Sequence, residues 1–264
     1  MKPNRSPVFF NPSDETLIEY VDRRGALITQ AIGDADVAAV ALEDSPPMRS
    51  VPSWQGKNVY EGSYWSSTVR KHVCFESLLE REWLISADFD PDVVAFQWQP
   101  FALKWPRRTK GHRGHVPDFF CRMRSGDGVV VDVKRPDRVD DIKVAEQFEM
   151  TRNVCDSVGW RYEVFSGTPD PRRQNLGFLA GFRQGRYSPS PEARAAIADT
   201  FEGGASIEFG AARLQKAGAN PSVLRGNLWH EIWMGRLQLD LDAPLANDAV
   251  LTSTRHGVGS VITA

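Results

Sequence analysis

Residues 115–136 read HVPDFFCRMRSGDGVVVDVKRP. Two runs of strand-forming residues flank RSGDG, so the stretch reads as a β-hairpin with Asp127-Gly128 as its turn signal. In the second run Val129, Val131 and Val133 alternate with Val130, Asp132 and Lys134. Side chains alternate faces along a strand, which puts a carboxylate and an ammonium two residues apart on one face. In the first run Asp118 follows Pro117 and shares a face with Phe120. A register that brings Asp118 beside Asp132 sets two carboxylates near one lysine. Two like charges that close stay ionised only with a cation between them, and Mg2+ suits oxygen ligands that leave water in its shell. Such an ion polarises a phosphoryl oxygen and acidifies a bound water, which Lys134 can orient or deprotonate. The arrangement suits hydrolysis of a phosphodiester. Against this stands a plainer reading: aspartates at strand ends cap turns, and a D-x-K triplet arises by chance. The neighbouring sequence has to decide.

Upstream, STVRKHVCFESLLEREWLISADFDP (67–91) predicts a helix from about Glu76 to Ala87, with Leu79, Trp83 and Ser86 or Ala87 on one stripe. Glu76 and Glu80 are four apart, hence on one face, and either can supply a third acid. Asp90-Pro91 punctuates, and VVAFQWQPFALKW (93–105) is strand-like. The loop that follows is dense in positive charge. Lys104, Arg107, Arg108, Lys110 and Arg113 occur there with no acid between them, a composition suited to DNA phosphates that position a duplex without reading its bases. A solvated loop is the alternative. His112 and His115 lie three apart, but no Cys or His cluster accompanies them, so zinc is not read here.

Downstream, RVDDIKVAEQFEMTRNVCDSVG (138–159) is helical, with Ile142, Ala145, Phe148, Arg152 and Cys155 at helical spacing and Gly159 as a C-terminal cap. WRYEVFSG (160–167) is a strand. Residues 61–166 therefore run helix, strand, hairpin, helix, strand, an α/β unit around a mixed sheet.

The flanks differ in character. Residues 1–60 read as an irregular arm, packed on the body or on a partner, with three prolines in SPPMRSVPSW (45–54) and one short strand at GALITQAI (25–32). Residues 167–185 read as a linker. In 186–264, helices are expected at 190–201, 206–218 and 221–237, then short strands LQLDL and AVLTST. Three helices followed by a two-stranded ribbon is the order of a winged-helix domain. Trp229 and Trp233, four apart, read as core. His230-Glu231 lacks the second histidine of a zinc-protease helix, and no GxxxxGK[ST] phosphate loop occurs.

Of the 264 residues, 41% are hydrophobic and 25% charged, and the net charge is −2. Any basic surface must be local. Cys74, Cys121 and Cys155 are an odd, dispersed set, expected as buried thiols of a reducing compartment. No apolar run approaches a membrane span and the start lacks a secretory leader, so a cytoplasmic protein without membrane attachment is expected.

PDFF (117–120) with VVVDVK (129–134) resembles the PD-(D/E)xK nuclease motif. HVCFESLLEREWLISADFDPDVVAFQWQPFAL (72–103) is similar to the TnsA-like endonuclease subunits of heteromeric transposases, which share a Ser-x-Leu-Glu helix, an acidic-Pro turn and a Gln-Pro strand in that order. The resemblance covers 61–166 well and the arm weakly. It implies a restriction-endonuclease-like fold with a winged-helix-like C-terminal domain. Carried over by position, it makes Glu80, Asp118 and Asp132 the metal-binding acids and Lys134 the catalytic lysine, with Glu76 a neighbour. The implied cofactor is Mg2+, with Mn2+ able to substitute. The implied task is cleavage of double-stranded DNA at the 5′ side of a mobile element, beside a DDE-type transposase that handles the 3′ ends and an AAA+ ATPase that regulates the pair. NLWHEIWMGRLQLDLDAPL (227–245) is similar to the partner-contact region of that family. Two alternatives stay open: a self-sufficient nuclease of restriction or phage-defence type, and a catalytically inactive winged-helix DNA-binding adaptor.

Overall fold

The computed structural model describes residues 15–49, 60–106 and 114–254. They divide into two compact units between Gly167 and Thr168.

In the first unit β1 (Leu17–Val21) and β2 (Leu27–Ala31) form a hairpin, as do β3 (Gly62–Trp65) and β4 (His72–Phe75). Helix α1 (Leu78–Phe89) follows, then β5 (Val93–Trp98), β6 (Phe101–Lys104), β7 (Gly114–His115), β8 (Phe119–Met123) and β9 (Gly128–Val133). A short α2 (Pro136–Val139), the long α3 (Ile142–Val158) and β10 (Arg161–Phe165) complete the unit. One sheet has the order β10-β9-β8-β5, parallel between β9 and β10 and antiparallel elsewhere. A second, antiparallel sheet has the order β2-β1-β6-β7.

The β8–β9 hairpin forms where its alternation predicts, with Phe119 opposite Val131 and Phe120 opposite Val130. Its turn, however, is made one step earlier than Asp127-Gly128. Gly126 takes φ 96° and donates its N–H to Met123 C=O. Gly128 already lies in β9, where an added Cβ would sit 2.7 Å from Trp160 Cδ1 and 2.8 Å from Phe120 Cζ. That glycine is required by packing, not by turn geometry.

VVAFQWQPFALKW is not one strand. The chain breaks at Gln99-Pro100, where Gln99 holds the left-handed φ of 42°, and passes from the mixed sheet at β5 to the second sheet at β6. A side chain rarely adopts that conformation, and the surrounding contacts hold it there. Gln99 N–H donates to Asp118 C=O at 2.9 Å, and its own C=O accepts from Met48 N–H at 2.8 Å.

The mixed sheet carries two cores. On one face Trp83 of α1 stacks on Phe119, ring centroids 4.2 Å apart, and meets Phe96 edge-on. The opposite face, that of Phe120 and Val130, packs with Met150, Val154 and Cys155 of α3, with Ile18 and Tyr20 of β1, and with Phe101 and Leu103 of β6. Residues 15–49, expected as an arm, are thus built into this unit: β1 pairs with β6, and Val37 and Leu42 are fully buried. Gly159 closes α3 at φ 83° as expected, but the buried stripe of α3 is Phe148, Thr151, Val154 and Cys155, with Ile142 exposed. Cys74, Cys121 and Cys155 are free thiols, and burial pushes the Cys121 thiol up to about 12.

The second unit begins inside the expected linker, which holds the helix α4 (Arg172–Leu179). Its Asn175 amide donates to Leu241 C=O and Ala243 C=O, both at 2.8 Å, which fastens α4 to a distant loop. Then come α5 (Pro191–Thr200), β11 (Ala205–Ser206), α6 (Ile207–Lys216), α7 (Pro221–Trp233), β12 (Leu237–Gln238) and β13 (Val250–Ser253). The three short strands pair in the order β11-β13-β12. Trp229 and Trp233 are buried. Glu231 is buried in ion pairs with Arg194 and Arg236, and His230 Nδ1 contacts Phe182 C=O at 2.8 Å. Among the described residues no helix is long and apolar enough to cross a membrane.

Candidate active site

The first turn of α1 is built around an acid. Ser77 caps the helix by accepting from Glu80 N–H at 3.1 Å, the usual role of a serine at this position. Its hydroxyl also donates to Glu80 Oε1 at 3.0 Å, while Glu76 N–H donates to Oε2 at 2.8 Å. Two local bonds therefore fix the Glu80 carboxylate, and the residue is 8% exposed. Burial raises its pKa, and the Glu76 N–H and Ser77 hydroxyl lower it again in part. Glu76 and Glu80 separate clearly: Glu76 receives a long bond from Gln99 Nε2 at 3.4 Å.

Asp118 stands just before β8. Its Oδ2 accepts from Val133 N–H at 2.7 Å, so side chain and partner strand are joined at the end of the hairpin. Its enclosed setting, then the charges of Asp132 and Glu80, hold its carboxyl well above the usual carboxylate range, while Val133 N–H and the Lys134 ammonium draw it down. Asp118 therefore responds to Glu80, Asp132 and Lys134 together. Lys134 leaves the end of β9 with its N–H on Phe165 C=O at 2.9 Å. With Glu76, Ser77, Glu80, Arg135 and Arg138 it lines a cleft of about 710 Å³.

Asp132 is 2% exposed and faces the other way from α1. By strand alternation it lies on the Phe120–Val130 side, whereas α1 covers Phe119. His115 Nε2 meets both its oxygens, at 2.9 and 2.8 Å, and Tyr162 OH donates to Oδ2 at 2.5 Å. Gln147 Nε2 contacts the other ring nitrogen of His115. Burial, then the Asp132 charge, pushes the Tyr162 phenol far up, so it remains a donor. The sequence gives no spacing by which to find these three residues: β7, α3 and β10 each contribute one.

Glu80 and Lys134 thus line the cleft at the sheet end, while Asp118, which the β8–β9 register continued by one step sets opposite Asp132, feels the charges of Asp132, Glu80 and Lys134 together. Among the described residues no three His, Cys, Asp or Glu groups are already arranged to hold a metal ion. The donor set still fits a small, oxygen-preferring divalent cation, because the like charges around Asp118 are those such a cation would neutralise. Lys104 is ion-paired with Glu19 on the second sheet. Arg107, Arg108, Lys110 and Arg113 lie outside the described residues, as does His112.

Residues 90–167 match the family model described as the TnsA-like endonuclease N terminal domain. That match supports a TnsA-like nuclease. It includes Asp118, Asp132 and Lys134 and begins after Glu80. No curated protein matches the chain.

Proposed function

We propose, on the premise that residues 90–167 carry a TnsA-like endonuclease domain, that this chain is the Mg2+-dependent DNA endonuclease subunit of a heteromeric transposase, hydrolysing phosphodiesters at the 5′ ends of a mobile element. The observation that carries the reading is Asp118, a single carboxyl group on which the charges of Asp132, Glu80 and Lys134 all act. Acids crowded in this way are costly unless a cation sits among them.

Glu80, Asp118 and Asp132 would hold the ion, with Mn2+ able to replace Mg2+. When bound, the ion neutralises phosphate charge and lowers the pKa of a water. Lys134, on the cleft wall with Glu80, orients that water and balances charge gathering on the phosphoryl oxygens. Arg135 and Arg138 line the same wall and supply contacts to flanking phosphates. Lys104, Arg107, Arg108, Lys110 and Arg113 add positive charge for further phosphate contacts. The second unit, whose helices and short strands are compatible with a winged-helix domain, serves contact with a DDE-type transposase and an AAA+ ATPase, all acting in the cytoplasm.

The test is cleavage of duplex DNA bearing element ends, with and without the partner transposase. Mg2+-dependent nicking at the 5′ ends is expected only in the combined reaction, and Asp118→Ala and Lys134→Ala abolish it. Efficient cutting of plain plasmid by the chain alone identifies a self-sufficient nuclease instead. Full transposition with Lys134→Ala identifies an inactive adaptor.

A further inference from the structure

Asp132 differs from Glu80 and Asp118 in one respect: side chains from two other elements bond its carboxylate, and one from a third contacts His115. His115 projects from β7 of the second sheet, Tyr162 from β10 of the mixed sheet and Gln147 from α3. Tyr162 reaches Asp132 along one face of the parallel β9–β10 pair, where Tyr162 is opposite Val130 and Val164 opposite Asp132. Gln147 presents its amide nitrogen to His115 Nδ1. That leaves the ring hydrogen on Nε2, aimed at Asp132.

The bonds are unevenly shared. One imidazole N–H is divided between Oδ1 at 2.9 Å and Oδ2 at 2.8 Å, and the Tyr162 hydroxyl falls on Oδ2 alone. A carboxylate has about four lone-pair sites. Oδ2 is therefore largely committed, and Oδ1 keeps accepting capacity. We infer that His115 and Tyr162 are positioning residues that hold Asp132 so that Oδ1 faces the divalent ion, with Gln147 fixing the His115 tautomer. This rests on the nuclease reading above and adds three residues to it. Partners that orient a ligating carboxylate in this way govern metal affinity as well as stability, which separates the inference from a merely structural polar network.

Calorimetric titration of the full chain with Mn2+, without DNA, tests it. Tyr162→Phe and His115→Leu should each weaken Mn2+ binding by about tenfold or more. His115→Gln, which keeps a side-chain N–H able to reach Asp132, should recover most of the loss. Wild-type uptake that is lost in Asp118→Ala but stays within about twofold of wild type in both Tyr162→Phe and His115→Leu overturns the positioning role alone. A wild-type chain that takes up no Mn2+ overturns the nuclease reading and this inference with it. Should His115→Leu fail to fold, nitrogen-15 shifts of the unmodified His115 ring decide. The Nε2 resonance should move on adding Mg2+ and stay still in Asp132→Asn, and no movement in the wild type overturns the inference.

Discussion

Ser77 Oγ accepts the Glu80 N–H at 3.1 Å and donates to the Glu80 carboxylate at 3.0 Å, so the residue that starts α1 also aims its acid. Ser77→Ala removes both contacts. Thermal or denaturant unfolding should show a loss of about 1 kcal/mol, the usual cost of an absent helix cap. Mn2+ affinity should fall in parallel, because Glu80 keeps the Glu76 N–H but loses its second anchor. Unchanged affinity would separate the cap from the site.

Asp118 gives the metal-free protein a distinctive pH response. Its carboxyl is raised by burial and then by Asp132 and Glu80, so the folded state favours the protonated form. The resulting stability is present below the ordinary carboxylate range and is lost as pH rises through the higher folded-state value. Asp118→Asn, which cannot ionise, should lack that loss and melt higher than wild type at neutral pH without metal. Saturating Mg2+ should stabilise the wild type and leave Asp118→Asn unmoved. Melting curves across pH, with and without Mg2+, check both statements.

On the proposed nuclease reading, Lys134 acts on chemistry and not on holding the ion. Lys134→Ala should lower the cleavage rate by at least about 10²-fold, the range of a lost proton-transfer group. Mn2+ affinity should not fall, since a positive charge near Asp118 has been removed. Single-turnover cleavage beside a Mn2+ titration separates the two effects.

Gly128→Ala tests the packing beneath the site. The new methyl would meet Trp160 and Phe120 at 2.7–2.8 Å, and overpacking of this kind costs about 1–3 kcal/mol. Urea unfolding should show that loss. Gly126→Ala meets no atom within 4 Å but is strained by its φ of 96°.

The hairpin is legible in the sequence because two runs of strand-forming residues and the turn between them are written in consecutive residues, although β9 is buried on both faces. The first turn of α1 is legible for a similar reason, since Ser77 and Glu80 are a local pair. What escapes is non-local. LIEYV at β1 finds its partner in β6, more than eighty residues on, and nothing near residue 17 announces it. The break at Gln99-Pro100 interrupts a run whose apolar pattern continues on both sides, because both strands are buried in different sheets. His115, Gln147 and Tyr162 are single polar residues on three elements, and only folding brings His115 and Tyr162 onto Asp132 and Gln147 onto His115. The expected linker hid a helix because GTPDPRRQ carries loop residues right up to the first turn of α4.

Gln99 gives one last consequence. A single peptide unit at the corner between the sheets grips the main chain of Asp118 with its N–H, while its carbonyl holds Met48. Residues 15–49 are therefore masonry beneath the candidate site and not a detachable porch. An engineer who trims the chain to residues 90–167 removes Met48 and with it the far end of the clasp that runs through Gln99 to the Asp118 main chain.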